Sequence, residues 1–513
     1  MTTHVRSGPP KIRIWVGSAT TSEIVLDHDV IAFEASTSLA APMGTWSITV
    51  LPRQSDNAQT PGDVRRASNL YNSLRPNMVV TIGFEVEGGI LIGLLNTVQM
   101  TQQLSGPVVA TGLTITGSTM GKVLVQDSIY RGTVTAPDYP DFKKKVESAL
   151  GPDTPITTDI VGTLGPVDEN RGDNTPTFVL ASVTSVVDWI LQSVTSMRLP
   201  IFAIATGGSG EPADFIKTDK SVTTWHDARV NGDSLSSYTG TVWGYITGVL
   251  DRDFYECWID SVPNGTSLPD IHLIIRPKPY DEPDFDIADV DRDADNSAEW
   301  AWDTLTTMVD GLTNHEIALD EVLNLQRGFG DTDATSWYVV TGQYDLIASG
   351  DAETNGVFYP LVDTYTARTL GLRNYNARVS LVGGDVQTMA AGDADYDATR
   401  ISEAINARNR LFNWYRYAPW METGSVTVVG RDTYRPGDPV LLPFVTPAQG
   451  GHAGMRYYCV AVNWQWSHGG HYTSTLQLAR GHNSDMLTAI RDMIDSDAAQ
   501  SAPDCPHHFA SVD

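Results

Sequence analysis

The chain has 513 residues, enough for roughly three or four domains with a sizeable buried core. Its 34 Lys and Arg residues stand against 62 Asp and Glu residues, and the net charge of -28 disfavours nucleic-acid binding, because such binding needs cations that release counterions. A solvated acidic surface explains this charge as well as any partner does.

Three widely spaced cysteines argue against a disulfide framework, and Cys257 and Cys459 lie in apolar runs typical of a core. The first residues lack an apolar leader core, and no run of about 18 apolar residues occurs. These features predict a soluble, non-secreted protein without membrane insertion.

Residues 1–120 predict a first barrel-like domain built from short alternating strands with Gly, Pro and Asn between them. The six strand-like segments are KIRIWVG, EIVLDHDVIAFEAS, GTWSITVL, NMVVTIGFEV, GILIGLLNTVQ and VVATGLTITG. Strands at this spacing favour a small closed or nearly closed β-barrel.

The middle of the chain has a different texture. Residues 121–235 are mixed in composition, and apolar residues at helical spacing over 183–194 predict an amphipathic, core-facing helix. Residues 236–418 predict a middle domain that lends strands to a second barrel, with a long acidic loop at 281–300.

Residues 419–484 predict that second barrel unit, because they repeat the turn residues of the first. An Arg-Pro turn precedes a strand at Pro76 and again at Pro436, and a Gly-Gly hairpin follows each. We therefore expect equivalent turns in one shared topology, with Gly44 matching Gly424. The alternative is that Pro-Gly and Gly-Gly turns recur in any β protein.

Four strands alone would leave the edges of the second unit open, so strands from 253–276 are expected to complete it. In the RPGD turn, Gly437 is expected at the third position of a type II turn, which needs a positive φ. The last residues, 485–513, have the composition of a poorly ordered tail.

Enzyme motifs are incomplete wherever they begin. NHEIAL at 314–319 has Leu319 where a zinc protease needs its second histidine, and GSTMGKV at 117–123 lacks the first P-loop glycine. GGSGEP at 207–212 has Glu211 where a nucleophile elbow needs glycine. We therefore expect no catalytic or cofactor-binding residues and no enzyme activity.

Metal sites are disfavoured in the same way. The acidic spacings at 289–293 and 391–398 resemble calcium loops but lack the turn glycine or the closing glutamate. The CPHH segment at 505–508 offers too few ligands, and RGD at 171–173 is a tripeptide expected by chance. No metal or cofactor is expected.

An ordered series of segments nevertheless resembles a known family. The series is WGYITGVLDRDFYECWIDS, LIIRPKPY, DEVLNLQRGFGDTDATSWYVVTG, VDTYTARTLGLR and GSVTVVGRDTYRPGDPV with YYCVAVNWQWSHGGHYTSTLQLARG. Together these segments resemble the baseplate hub proteins of tailed bacteriophages, within the wider class that caps tail tubes in contractile injection systems. The resemblance spans roughly 240–482, and residues 1–120 resemble the other tube-type barrel less specifically.

The resemblance implies an α+β, mainly β fold with two tube-type β-barrel domains and inserted mixed and helical segments. It implies a homotrimer that presents six similar modules to a sixfold tail tube, binds the central spike on its far side, and contacts baseplate wedge proteins and the tape measure protein. DNA would pass only through the lumen. The protein would be a structural part of the virion tail baseplate, assembled in the host cytoplasm.

Charge is compatible with this role, since three chains of -28 carry -84 around a channel through which DNA could slide.

Two alternatives stay open. The first is a tail-associated carbohydrate-binding or depolymerase protein, with Trp464, Trp466 and Tyr472 as an aromatic platform, although two tryptophans on one strand face beside a turn are more often core. The second is a tail-tube or tube-initiator protein, which is normally much shorter.

Overall fold

The computed structural model describes about half of the chain. The described residues are 9–15, 23–26, 29–51, 64–84, 88–105, 108–126, 128–130, 181–182, 216–219, 229–230, 239–249, 252–253, 255–262, 269–278, 315–331, 334–342, 358–379, 411–412, 414–442 and 454–482.

Among its described residues, the N-terminal part contains eight strands and two helices. They are β1 (Lys11–Trp15), β2 (Glu23–Val25), β3 (Val30–Ser38), β4 (Ala41–Val50), α1 (Val64–Ser73), β5 (Val79–Gly83), β6 (Leu91–Ser105), β7 (Val108–Thr119), α2 (Gly121–Gln126) and β8 (Ser128–Tyr130).

The middle part contains shorter elements. They are β9 (Ala181–Ser182), β10 (Ile216–Asp219), β11 (Arg229–Val230), β12 (Thr239–Thr241), α3 (Val242–Val249), β13 (Tyr255–Val262), β14 (Asp270–Pro277), β15 (His315–Glu316), a 3-10 helix (Leu319–Glu321), β16 (Val322–Gly328), β17 (Trp337–Gly342), β18 (Phe358–Val362), α4 (Thr364–Leu370) and β19 (Asn374–Val379).

Among its described residues, the C-terminal part includes a 3-10 helix and four strands. They are the 3-10 helix (Ala418–Trp420), β20 (Glu422–Val429), β21 (Pro439–Leu442), β22 (Met455–Ser467) and β23 (Thr473–His482).

One 13-stranded sheet dominates the molecule, in the order β16-β20-β23-β22-β3-β4-β7-β6-β5-β1-β2, with β21 paired to β22 and β15 to β21. Along its strands, buried and more exposed side chains alternate, as expected for a sheet with one face in the core. In β23, for example, Ser474, Leu476 and Leu478 are buried while the residues between them are not. The predicted fold class, mainly β with tube-type barrel domains, is confirmed, and the sheet curls into an antiparallel half-barrel. The described strands of both predicted barrels join in this one sheet.

The two units have the same strand order. We define the N-terminal unit as β1 and β3 to β7, which pair in the order β1-β5-β6-β7-β4-β3. The C-terminal unit is β15, β16 and β20 to β23, which pair in the order β15-β21-β22-β23-β20-β16. Each strand thus occupies the place of its counterpart in chain order. The one difference is that β15 runs parallel to β21, whereas β1 runs antiparallel to β5.

The Arg-Pro turns are equivalent, as predicted. Asn77 has a φ of 65° and its N–H donates to the carbonyl of Leu95 at 2.8 Å, while Gly437 has a φ of 89° and donates to the carbonyl of Cys459 at 2.7 Å. Both turns therefore seat on the same point of the following long strand, and both use a residue type that tolerates a positive φ.

The units also share two strand irregularities. A bulge lies between Leu95 and Thr97 in β6 and again between Cys459 and Ala461 in β22. Another lies at residue 31 in β3 and at residue 323 in β16, opposite the ends of β4 and β20. Bulges are structural features and not products of a general β pattern, so the duplication extends to backbone detail.

Two expectations about this repeat are wrong. Strands at 253–276 do not complete the C-terminal unit, because β13 pairs with β14 and β14 with β10 in a separate sheet; β15 and β16 complete it instead. Gly424 matches Trp46 and not Gly44. Gly424 pairs with Leu478 and Trp46 pairs with Gly117, and these two partners lie opposite the equivalent residues Cys459 and Leu95. The segment 23–36 also divides into β2 and β3.

The remaining described strands form small sheets, including β18-β17-β19. Helix α4 lies in the chain between β18 and β19, and its N-cap Asp363 accepts a hydrogen bond from the Thr366 N–H at 3.2 Å. The predicted helix at 183–194, the acidic loop at 281–300 and the tail at 485–513 lie outside the described residues. The predicted domain boundaries stay predictions.

One hydrophobic core serves both units. It combines side chains of the N-terminal unit, such as Trp46 and Ile48, with Val426, Trp464 and Leu476 of the C-terminal unit. The two halves of the sheet are therefore expected to fold as one cooperative body.

Candidate functional site

The features that bear on function are the junction of the two units inside the chain and the strand edges that the sheet leaves open. At the junction β3 and β22 run antiparallel, with Ser38 opposite Ala461 and Ala32 opposite Ser467. Only the second half of β22 takes part, because its first half pairs with β21 on the same edge. The long strand thus holds two partners end to end.

Aromatic packing makes the core side of this junction apolar. Phe84 stacks on Tyr472 with ring centroids 3.8 Å apart, and it also meets Phe33 at 5.9 Å and Trp466 at 6.1 Å. Trp464 is fully buried and donates from its indole nitrogen to the carbonyl of Arg431 at 3.0 Å. Side chains from both units build this cluster, so neither unit could form it alone.

Polar groups on the other face of the junction also pair across it. The side-chain amides of Asn463 and Gln465 donate to one carboxylate oxygen of Glu34, at 3.3 Å and 3.2 Å. Because strand faces alternate, the junction has an apolar inner face and a polar outer face.

The buried Asp432 also ties the units together. Its two carboxylate oxygens accept hydrogen bonds from the Phe84 N–H at 2.7 Å and from the Tyr472 hydroxyl at 2.8 Å. Removing a carboxylate that accepts two buried donors leaves both unsatisfied, so Asp432 fixes the C-terminal unit to the end of β5.

Arg435 of the Arg-Pro turn makes a second buried connection. Its guanidinium donates to the carbonyl of Gly89 at 2.6 Å and to that of Ser261 at 3.3 Å, and it lies 3.3 Å from the Asp260 carboxylate. Burial raises the pKa of Asp260 to about 6, and the nearby Arg435 opposes that rise. This turn therefore holds three parts of the chain: both units and β13.

His315 belongs to the same network. Its Nε2 lies 2.7 Å from the Asp438 carboxylate, which also accepts a hydrogen bond from the backbone N–H of Arg435 at 3.0 Å. Both residues are buried. The histidine of the incomplete zinc-protease motif thus positions β15 against β21.

Two strand edges that occupy the same places in the repeat as the internal junction have no β partner within the described ranges. One is the half of β6 beyond its contact with β5, from Thr97 to Ser105, and the other is the outer edge of β16. Apolar side chains are exposed along both, including Met100 on β6 and Leu323 and Phe329 at β16. Open edges with exposed apolar residues are a liability unless a partner covers them.

The aromatic platform of the carbohydrate alternative is not at the surface. Trp464, Trp466 and Tyr472 are all buried in the shared core, as two tryptophans on one strand face suggested. Cys257 and Cys459 are also buried, and burial raises the pKa of each thiol. These residues serve packing and not recognition.

Ser209, Glu211, the acidic spacings at 289–293 and 391–398, and the segments 171–173 and 505–508 lie outside the described residues. Within the part of the chain that is described, no group of three or more His, Cys, Asp or Glu side chains could hold a metal ion. Among those same residues, no helix is long and apolar enough to cross a membrane.

No family model and no curated protein matches the sequence. Solved structures do. The chain is similar to the 43 kDa tail protein of prophage MuSo2 from Shewanella oneidensis, at 10% identity and a TM-score of 0.43, covering 93% of this chain and 98% of that one. It is also similar to the tail protein from Neisseria meningitidis MC58, at 11% identity and a TM-score of 0.40, covering 92% and 96%.

A third similar structure is the E. coli c3393 protein, a component of the type VI secretion system with structural similarity to the T4 bacteriophage tail proteins gp27 and gp5. The match has 9% identity and a TM-score of 0.38, and covers 89% of this chain and 74% of that one.

Sequence patterns did not reveal the Arg435 network or the open edges. Asp260 and His315 are separated from Arg435 by more than a hundred residues, so no local spacing connects them. One signal was available: an aspartate inside the apolar run YECWID is a buried charge that needs a partner.

Proposed function

We propose that this chain is a structural protein of a phage-type tail: a baseplate hub whose two units serve as equivalent modules of a ring. The observation that carries the proposal is the duplication, in which two six-strand units share strand order, turn and bulges and are fused through β3 and β22. A repeated module is what a chain needs if each copy is to fill two places of a ring.

Three such chains would present six modules to a sixfold tube. This is the finer form of the proposal, in which a homotrimer joins the tail tube to the central spike, lies beside the wedge proteins and surrounds the channel for DNA. The charge of -28 per chain fits a lumen through which DNA slides without binding. The resemblance of the sequence to hub proteins supports the choice of three chains.

Two other functions are less well supported. Burial of Trp464, Trp466 and Tyr472 removes the surface on which a carbohydrate-binding protein would depend. A tube or tube-initiator protein needs one barrel unit, whereas the shared core here makes two units inseparable.

Native mass spectrometry of the 55.8 kDa chain, alone and together with the tail-tube and spike proteins encoded beside it, tests the proposal. We expect a species of three chains and capture of both partners. A dimer or tetramer in the presence of both partners would refute the trimer, and failure to capture either partner would refute the hub.

A further inference from the structure

We propose that the open half of β6 on one chain pairs antiparallel with the open edge of β16 on a second copy of the chain, in a register that the internal junction defines. The proposal rests on the proposed ring for the number of chains and deepens it by naming the interface. The internal junction joins the edge of β3 to the second half of β22. Its counterparts in the repeat are β16 and the second half of β6, and neither of these edges has a β partner within the described ranges.

Each unit therefore carries one edge of the β3 type and one half-strand of the β22 type. Inside the chain, the β3-type edge of the N-terminal unit meets the long strand of the C-terminal unit. What remains is the β3-type edge of the C-terminal unit and the long strand of the N-terminal unit. These two surfaces differ from each other, so they cannot pair around a twofold axis; they pair head to tail, which builds rings when the rotation closes.

The register follows from the bulges and turns. Leu95 matches Cys459, so Thr101 of β6 matches Gln465 of β22. Glu34 of β3 faces Ser47, and Gln326 of β16 faces the matching Ser425. Since Gln465 lies opposite Glu34 at the internal junction, Thr101 is expected opposite Gln326 of the second copy.

The side chains at the open edges agree with this register. At the internal junction Trp464 is buried opposite Ala35, whereas Met100, the counterpart of Trp464, is 37% exposed. The same register brings Phe329 of the second copy, 65% exposed, opposite the half-buried Val98. Pairing would cover an apolar side chain on each edge.

The alternation of hydrogen-bonded and non-hydrogen-bonded residue pairs decides which position suits a disulfide crosslink. The His468 N–H donates to the carbonyl of Ile31 at 2.8 Å and the Leu39 N–H to that of Val460 at 3.0 Å, so these are hydrogen-bonded pairs. Such pairs alternate along antiparallel strands, which makes Gln465 and Glu34 a non-hydrogen-bonded pair, with Cα atoms about 4.5 Å apart. That separation lies within the range that disulfides accept.

The test is a chain carrying Thr101→Cys and Gln326→Cys, with Cys505→Ser to remove the cysteine outside the described residues. Both positions are exposed in the single chain. Mild oxidation, alone and with the co-expressed spike protein, should convert most of the chain to covalent oligomers that reduction reverses. The matched control, Met100→Cys with Gln326→Cys, places the thiols on opposite faces of the sheet and should lose the crosslink.

A second variant tests the backbone contact. Hydrogen-bonded pairs alternate along the strand, so the N–H of Met100, the counterpart of Trp464, points to the open edge. Because proline has no N–H, Met100→Pro should abolish the oligomer seen by native mass spectrometry, while Met100→Thr keeps it. Absence of the in-register crosslink with and without spike overturns the interface. If trimers and partner capture persist without it, the hub stands and this interface is wrong; if crosslinking occurs without partner capture, the interface stands and the hub is wrong.

Discussion

The glycine of the second Arg-Pro turn gives the sharpest test of the repeat, and we expect Gly437→Val to destabilise the C-terminal unit. Gly437 has a φ of 89°, a conformation that costs a β-branched residue about 1–3 kcal/mol. Its N–H also donates to the carbonyl of Cys459 at 2.7 Å, and weakening that buried hydrogen bond adds about 1 kcal/mol. The expected loss in the free energy of unfolding is thus about 2–4 kcal/mol.

The repeat provides the matched control. Asn77 occupies the equivalent position with a φ of 65°, so Gly437→Asn should lose much less stability than Gly437→Val. Urea unfolding followed by tryptophan fluorescence compares the three chains, and hydrogen exchange locates the change at β21 and β22. Equal stability of Gly437→Val and the unmodified chain would refute the assigned turn, and equal losses in both variants would refute the equivalence to Asn77.

Three further changes test buried contacts made by the two units. The pKa of Asp260 is higher in the folded state than in the unfolded state, so the free energy of unfolding falls as pH rises from about 4 to about 6. Asp260→Asn should remove about 3 kcal/mol of that fall, measured by urea titrations at several pH values. An unchanged pH profile in the variant would contradict this. Trp464→Ala should cost about 3–5 kcal/mol in urea unfolding, whereas Met100→Ala, its counterpart, should cost far less in the unassembled chain; equal costs would argue against an open β6 edge. Asp432→Ala should cost about 3 kcal/mol in the same assay and speed hydrogen exchange at Phe84; unaltered exchange there would show that the carboxylate does not hold the units together.

The repeat could be predicted from the sequence because backbone demands leave visible residues. A positive φ needs Gly or Asn, and both occur directly after an Arg-Pro pair, at Asn77 and Gly437. The register of the repeat could not be predicted in the same way. A shift of two residues keeps every side chain on its own face, so alternation alone cannot separate Gly44 from Trp46 as the partner of Gly424.

The strands that complete the C-terminal unit were also beyond local patterns. The apolar run of β13 looked like a core strand, and it is one, but in another sheet. β15 has only two residues, and β16 is largely exposed, so neither shows the strong alternation that marks a buried strand. Pairing between strands distant in sequence depends on the whole fold, and short or half-exposed strands give the weakest signal of it.

The two copies of the junction differ in composition in a way that follows from when each forms. The internal junction forms as the chain folds, so its core face can carry Trp464 and Trp466 without ever exposing them in the finished molecule. The open β6 half carries Thr97, Gln99 and Thr101 on its exposed positions, with Met100 between them. A free chain needs an edge that stays soluble until it meets the intended partner, and polar residues around a few apolar ones meet that need. The second half of β22 thus forms a permanent apolar junction, whereas its counterpart in β6 is a more polar edge that stays available for assembly. This difference is expected if the first junction forms during folding and the second during association.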